Sequence, residues 1–384
     1  MAQDKQAGRI GPDIQVIGTN PIALWGMSTT ERNRRIARAA GLGFRESVTP
    51  AAAPVVLVHA GFAFDPGWLR HVSTHPGMAL TRGGIPVIVY AANPAQAQAA
   101  ATAMAADAAL PEGLLFETVA YESGASLENK ELRKRETPFL DRLRPETVRP
   151  LERASYKGAY KGVTDLLTKY LWPEWALVLT RIAARIGVTP NMVTALGAIL
   201  CVLATFAFAA GHYWAGMAMG LVFMVLDTVD GKLARCTITS SWWGNIFDHG
   251  IDLVHPPFWW YAWGIGLSAW GLALAPATFW QVMIAIVGGY VVQRLIEGIF
   301  MRRFGMHIHV WQKADSDFRL VTARRNPNMV ILAAATVFAR PDLGLIAVAW
   351  WTIFSLLFHA VRLVQAESRH RRGTAITSWL STAS

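Results

Sequence analysis

The chain has 384 residues, 53% of them hydrophobic and only 16% charged, with a formal net charge of +10. That balance, with a positive mean hydropathy, argues against a wholly soluble globule and for a membrane-embedded protein long enough for two units. The 36 Lys and Arg against 26 Asp and Glu suit anionic lipid headgroups, and the absence of a compact Lys/Arg stripe with interleaved aromatics argues against a nucleic-acid partner.

Residues 1–135 read as a soluble α/β unit. Short apolar runs bounded by Gly or Pro predict buried strands over 14–18, 55–58, 85–90 and 114–119. Helices are expected over 29–40 and over the Ala-rich 94–109, which opens with Asn93 as cap and Pro94 in the first position. Strand–helix alternation predicts a parallel sheet. Residues 1–20 lack an apolar core of signal-peptide length, and Cys201 and Cys236 suggest no disulfide framework.

Residues 136–175 form a basic connector, with a helix expected over 150–170. Leu151, Val163, Leu166, Leu167, Tyr170 and Leu171 give it an apolar side, opposite Lys157, Lys161 and Lys169. Two readings stand open: a headgroup-level helix anchored by Trp172 and Trp175, or a solvated linker. Residues 176–372 form a helical polytopic domain and 373–384 a tail. After a short amphipathic stretch over 177–186, six spans are predicted, over 191–210, 213–233, 242–267, 279–300, 329–340 and 343–364. The fifth is short for the ~20 residues a span needs, so it is expected to start nearer 326. Arg181, Arg185, Arg235, Arg302, Arg303, Arg324, Arg325, Arg362, Arg369, Arg371 and Arg372 fall on one side. The opposite loops hold only Arg340, so the positive-inside rule puts both termini at the cytoplasmic face of a plasma or inner membrane. The Trp pairs at 242–243, 259–260 and 350–351 read as interfacial belt and helix packing.

Inside this domain lies D-T-V-D-G-K-L-A-R-C-T-I-T-S-S-W-W-G-N-I-F-D-H-G-I-D, from Asp227 to Asp252. Helical spacing puts Asp227, Asp230, Gly231 and Ala234 on one face, and Asp248 and Asp252 on one face of the next helix. Like charge and desolvation would force protons onto such a cluster unless cations compensate, and oxygen-only donors favour Mg²⁺ or Mn²⁺ over zinc. Gly231 and Ala234 leave room for a substrate. The alternative is a set of structural ion pairs, for which Lys232 and Arg235 are too few and the small residues have no purpose.

The stretch resembles the CDP-alcohol phosphotransferase family, whose pattern D-x2-D-G-x2-A-R-x8-G-x3-D-x3-D is matched at Asp227, Asp230, Gly231, Ala234, Arg235, Gly244, Asp248 and Asp252. The resemblance implies a membrane transferase that moves a substituted phosphate from a CDP-alcohol, such as CDP-diacylglycerol, to an alcohol acceptor and releases CMP in phospholipid synthesis. It implies two Mg²⁺ or Mn²⁺ ions held by Asp227, Asp230, Asp248 and Asp252, with Asp252 as ligand or general base. The CDP part would lie against Asp227, Gly231, Ala234, Arg235 and Gly244, bordered by Asn191 and Thr194 of a T-P-N-x-x-T pattern. Arg319, Arg324 and Arg325 are candidates for an acceptor phosphate, inositol phosphate or glycerol phosphate, topology-setting charge being their other reading. The expected assembly is a homodimer. The front unit resembles the GT-A-like nucleotidyltransferase domain of some family members through L-W-G-M-S-T-T-E-R-N-R-R-I-A-R-A-A-G at 24–41 and V-L-V-H-A-G-F-A-F-D at 56–65. It lacks a Gly-rich basic loop, having Gly18-Thr19-Asn20-Pro21 there, and has His59-Ala60-Gly61 where a metal-binding Asp would stand, so it reads as non-catalytic. A bifunctional enzyme with a working front domain is one alternative; a cation transporter using the acids is another, although transport sites sit near mid-membrane.

Overall fold

The computed structural model describes residues 11–46 and 53–382. The α/β region runs β1 (Asp13–Ile17), α1 (Thr29–Ala39), β2 (Phe44–Arg45), β3 (Val55–His59), β4 (Phe62–Phe64), α2 (Pro66–Val72), β5 (Met78–Arg82), β6 (Ile85–Ala91), α3 (Pro94–Ala105), β7 (Glu117–Ala120), β8 (Leu127–Asn129), β9 (Lys134–Glu136) and β10 (Leu140–Arg142). Three expected strands form as β1, β3 and β6, and the fourth lies later, as β7. Both expected helices start at their caps: Ser28 accepts from Glu31 N and Asn93 from Gln96 N. Each such cap contributes about 1 kcal/mol.

The sheet is mixed, not parallel, with order β2-β1-β3-β6-β5-β7. β6 runs antiparallel to both β3 and β5. The cause is a two-residue hairpin between Arg82 and Ile85: Gly83 and Gly84 take φ of 57° and 78°, which suits the right-handed twist of the paired strands. β3 is buried on both faces, so Val56 and Val58 pack toward Trp68 and Leu80 while Val55 and Leu57 meet Ala97, Ala100 and Met104 of α3. β10 pairs back onto β4, carrying the region to Arg142.

The helical region contains α4 (Val148–Gly158), α5 (Leu166–Tyr170), α6 (Pro173–Arg185), α7 (Pro190–Ala209), α8 (Tyr213–Cys236), α9 (Trp242–Gly266), α10 (Pro276–Met283), α11 (Gly289–Phe304), α12 (Lys313–Arg319), α13 (Arg325–Val337), α14 (Pro341–Arg371) and α15 (Trp379–Thr382). A π-type turn over Ile284–Gly288 joins α10 to α11. The connector is not one helix over 150–170. It breaks after Gly158, and Asp165 caps a new short helix by accepting from Thr168 N. Nor is Trp172 an interface anchor: it is fully buried and donates from Nε1 to Thr228 Oγ1 of α8 at 3.1 Å, whereas Trp175 is exposed.

Among the described residues, three helices are long and apolar enough to cross a membrane by length and composition: Pro190–Ala209, Pro276–Phe304 and Pro341–Arg371. Six were expected. The other three fall short for local reasons. α8 carries Asp227, Asp230, Lys232 and Arg235 at one end, and α9 carries Asp248, His249, Asp252 and His255. α13 has 13 residues, about 20 Å at helical rise. Apolar side chains that point outward, Ile199, Phe206, Leu295, Phe354 and Val361 among them, are about half or more exposed, as lipid-facing positions are. The helical region is that of an integral membrane protein.

The two regions touch at the turn between α8 and α9, where Arg35 Nη1 of α1 donates to Thr237 O at 2.9 Å.

Candidate active site

The site is built where the ends of α8 and α9 meet across their short turn. Ser241 caps α9 by accepting from Gly244 N. A Cβ on Gly244 would lie 2.9 Å from Asn191 Oδ1, so the absence of a side chain there lets the first turns of α7 and α9 close together. Thr189 caps α7, with Pro190 in its first turn. α9 also contains Pro256 and Pro257. Pro257 supplies no N–H to the Leu253 carbonyl, which instead accepts from Tyr290 Oη at 2.9 Å.

Asp227, Asp248 and Asp252 each bring a carboxylate oxygen within 4.8 Å of the others. Asp230, one turn along α8, is buried; it accepts from Thr194 Oγ1 at 2.5 Å and from Gly231 N at 2.5 Å. A small void of about 10 Å³, close to one water-sized sphere, lies among Thr194, Asp227, Asp230 and Asp248, with Gly197, Phe223 and Ile251 completing its wall. The polar groups that converge here are all oxygen donors, so the residues suit a hard divalent cation.

The structure also brings a cation that spacing along the motif does not reveal. Arg325, at the start of α13, donates from Nη2 to Asp227 Oδ2 and from Nη1 to Asp252 Oδ1, both at 2.7 Å. It also lies over the Phe223 ring, 4.8 Å from its centre. Lys232 and Arg235 turn the other way: Lys232 Nζ and Arg235 Nε both donate to Ala159 O at 3.0 Å, at the break in the connector. The carboxylates are therefore partly balanced, by a residue almost a hundred positions away.

A cavity of about 610 Å³ opens from this cluster. Its walls include Asn191, Thr194, Gly231, Ala234, Arg235 and Gly244, so every residue expected to border a nucleotide is brought to it. The three acceptor candidates also reach it but differ in state. Arg325 is held by the carboxylates. Arg324 pairs with Glu297 at 2.5 Å and lies 3.2 Å from His309 Nε2, inside a buried network containing His359. Arg319 is buried, and its Nε and Nη1 have no partner. The connector enters the same cavity through Tyr160, Lys161, Thr164 and Asp165. Burial alone would raise the Asp165 carboxyl, but the Arg319 charge and hydrogen bonds from Asn326 and Thr168 hold it below the usual carboxylate range. No motif pointed to the Glu297 network or to the connector's part in the site.

In the α/β region, Asn20 of the Gly18–Pro21 turn is used structurally: Nδ2 donates to Leu143 O at 3.0 Å and Oδ1 accepts from Ile22 N at 2.9 Å. His59 faces Asp107, with Nε2 3.0 Å from Oδ1, and Arg142 Nη1 reaches the other oxygen of Asp107 at 2.6 Å.

Residues 187–361 match the CDP-alcohol phosphatidyltransferase family model. This stretch, which holds the carboxylate cluster, is a CDP-alcohol phosphatidyltransferase domain. Among curated proteins, cholinephosphotransferase 1 of Gallus gallus is 32% identical over 30% of this chain and 36% of its own length. Archaetidylinositol phosphate synthase of Pyrococcus horikoshii is 23% identical over 61% of this chain and 100% of its own. The chain thus spans about a third of the chicken relative and all of the archaeal one. Among solved structures, Mycobacterium tuberculosis phosphatidylinositol phosphate synthase with CDP-DAG bound aligns with a TM-score of 0.36 at 18% identity, over 49% of this chain and 92% of that one.

Proposed function

We propose that this chain transfers a substituted phosphate group from a CDP-alcohol, best taken as CDP-diacylglycerol, to the hydroxyl of a small phosphorylated alcohol, releasing CMP in phospholipid synthesis. The observation that carries the reading is the convergence of Asp227, Asp230, Asp248 and Asp252 beside a cavity bordered by side-chain-poor helix. In the reaction the acceptor oxygen bonds to the donor's distal phosphorus as that phosphorus parts from the CMP oxygen. Two divalent ions, Mg²⁺ or Mn²⁺, would be held by the four aspartates and would neutralise charge on the pyrophosphate. Asp252 is the residue we assign to take the acceptor's proton, since Arg325 engages only its Oδ1. Asn191, Thr194 and the Gly231–Ala234 face would border the CDP part, and Arg235 the phosphates.

Names among the relatives include both a choline and an inositol phosphate enzyme, so the acceptor is argued from this chain's own cavity. Arg319, which lines the cavity and has two nitrogens without a partner among the described residues, favours an anionic acceptor such as inositol phosphate or glycerol phosphate. The ion-paired Arg324 and Arg325 are assigned to holding the site in shape. The α/β region is assigned no nucleotide chemistry, because Asn20 and His59 serve local structure where a phosphate loop and a metal ligand would be needed. The six-span arrangement with a cytoplasmic site remains our topology. The test is CMP release from CDP-diacylglycerol by purified protein across a panel of acceptors, with and without chelator. Metal-dependent CMP release supports the reading, and release undiminished by excess chelator overturns it.

A further inference from the structure

The α/β region enters the cavity at one place. The hairpin of β8 and β9 brings Glu131, Leu132 and Arg133 to the cavity wall. The insertion is anchored on both sides. Leu132 is buried and its carbonyl accepts from Gly162 N at 2.8 Å, while Lys134 Nζ donates to Gly158 O at 2.6 Å. A Cβ on Gly162 would lie 2.5 Å from the Arg133 carbonyl oxygen, so only glycine permits this approach. Arg133 itself takes a φ of 53°, a backbone state that side chains other than glycine rarely adopt. Such strain persists where surrounding structure enforces it, and it gathers at binding sites.

Among the described residues the Arg133 guanidinium has no hydrogen bond or ion pair, and neither has the Lys161 ammonium beside it in the cavity wall. Arg319 lines the same cavity, more than nine-tenths buried, with Nε and Nη1 unpartnered. Nearby acids are already hydrogen-bonded elsewhere, Glu297 to Arg324 and Arg294 and Asp165 to Asn326 and Thr168. They offset the cations only at a distance, Asp165 acting on Arg319 and Glu297 on Arg133. Glu131, at the same hairpin tip, acts on Arg235. Burial and then the like charge of Arg324 push Arg133 down to about 10, and burial and then Arg133 lower Lys161. Lys161 also feels Asp248 and Asp227 with the opposite sign, and it lines one cavity with both the basic group and these carboxylates. A concave wall of mutually repelling cations with spare donors calls for a multivalent anion.

We propose that the β8–β9 hairpin is a substrate-binding element: Arg133, with Lys161 and Arg319, holds the phosphate monoester of the acceptor, so the α/β region helps set acceptor specificity. The inference rests on the transfer reading above for the identity of the anion, and on the cavity alone for its existence. The test uses the full chain in lipid nanodiscs. Calorimetry with inorganic phosphate measures the subsite directly. CMP release from CDP-diacylglycerol, with inositol phosphate and glycerol phosphate against inositol and glycerol, measures its use. Arg133→Ala and Lys161→Ala are each expected to weaken phosphate binding and raise the KM of the phosphorylated acceptor about tenfold. The donor KM should stay unchanged and Arg133→Lys should recover part of the loss. Arg133→Gly removes the side chain while relieving the backbone, so it should lose binding in a protein at least as stable, separating this role from a folding role. Phosphate binding that depends on Arg133 without CMP release from any acceptor supports the subsite and overturns the transfer reading. Robust CMP release, with phosphate binding and acceptor KM indifferent to Arg133 and Lys161, overturns the subsite and leaves the transfer reading standing.

Discussion

The two regions of this chain differ in what their inward-facing charges surround: packed strands in one, an open cavity in the other. In the α/β region Arg32 is buried and donates to Phe64 O at 2.6 Å, Trp68 Nε1 donates to Pro138 O at 2.9 Å, and His59 and Arg142 converge on Asp107. These contacts span 32 to 70 positions and tie the strands, helices and loops of the region to one another. In the helical region four carboxylates gather with one shared cation, and Arg319 keeps two nitrogens unbonded. The core of the α/β region pairs most of its polar groups internally, because each unpaired buried group costs about 1–3 kcal/mol, and its unpartnered atoms, Trp25 Nε1, Thr29 Oγ1, Arg32 Nε and Asn33 Oδ1, lie away from the cavity wall. Groups left unpaired around a cavity are intelligible when a ligand completes them.

The largest expected effect tests that contrast at the carboxylates. Asp227→Asn, Asp230→Asn or Asp248→Asn should each lower CMP release by about 10³-fold, the order found when a charge-stabilising group is removed. The same change at Asp107 of the α/β region should leave turnover near that of the native chain. Side-by-side initial rates decide it, and comparable losses at Asp107 and Asp248 would break the division of labour between the regions.

Arg325 sharpens the comparison further. Removing one partner of a fully buried pair costs about 3–5 kcal/mol, and the half-buried Arg325–Asp227 pair with the exposed Asp252 should cost less. Arg325→Ala should therefore lower the melting temperature in chelator, and Mg²⁺ should restore much of it by taking over the charge of Asp227 and Asp252. Arg324→Ala takes one of two arginine partners from Glu297, away from the carboxylates, so its smaller loss of stability should be indifferent to Mg²⁺. Melting curves of both variants across a Mg²⁺ titration check this; equal responses would mean that Arg325 is not tied to the cation site.

A smaller effect is expected at the join between the regions. Gly162→Ala puts a methyl 2.5 Å from the Arg133 carbonyl oxygen, and crowding of this kind costs about 1–3 kcal/mol. Displacement of the hairpin should raise the acceptor KM while the donor KM holds. A stability loss with both KM values unchanged would detach the hairpin from the site.

How much of this was legible in the sequence follows the range of the interactions. The Asp227–Asp252 pattern is local, with spacings of three and four that a helix converts into one face, and the carboxylates do converge. The Asn93 cap is equally local and legible in the sequence, while the Ser28 cap, local too, emerges only in the structure. The hairpin at Gly83–Gly84 is written locally in two consecutive glycines, but strand–helix alternation points to a parallel sheet and masks it. Arg325 was not legible as the partner of Asp227, 98 positions away, since only the packing of α13 near α8 brings them together. Trp172, next to Pro173 and close to Trp175, carries the composition of an interface residue. Its burial against Thr228 comes from α6 packing on α8, which periodicity in either helix does not encode.

The smallest expected effect returns to the α/β region and to pH. Burial, opposed by the charge of Asp107, lowers the folded His59 below its ordinary value of 6.5. The unfolded chain therefore takes up a proton at His59 near pH 6.5, while the folded chain stays neutral until lower pH. More protons on the unfolded side mean that stability falls as pH drops through that window. His71 is lowered too, by burial first and then by His75, and adds in the same direction. Hydrogen exchange of the β3 amides in the full chain should quicken between pH 7.5 and 5.5 after correction for intrinsic rates. His59→Asn should flatten part of that dependence, since it removes the titrating ring. An unchanged slope in that variant would assign the acid sensitivity elsewhere and leave the His59–Asp107–Arg142 cluster as packing alone.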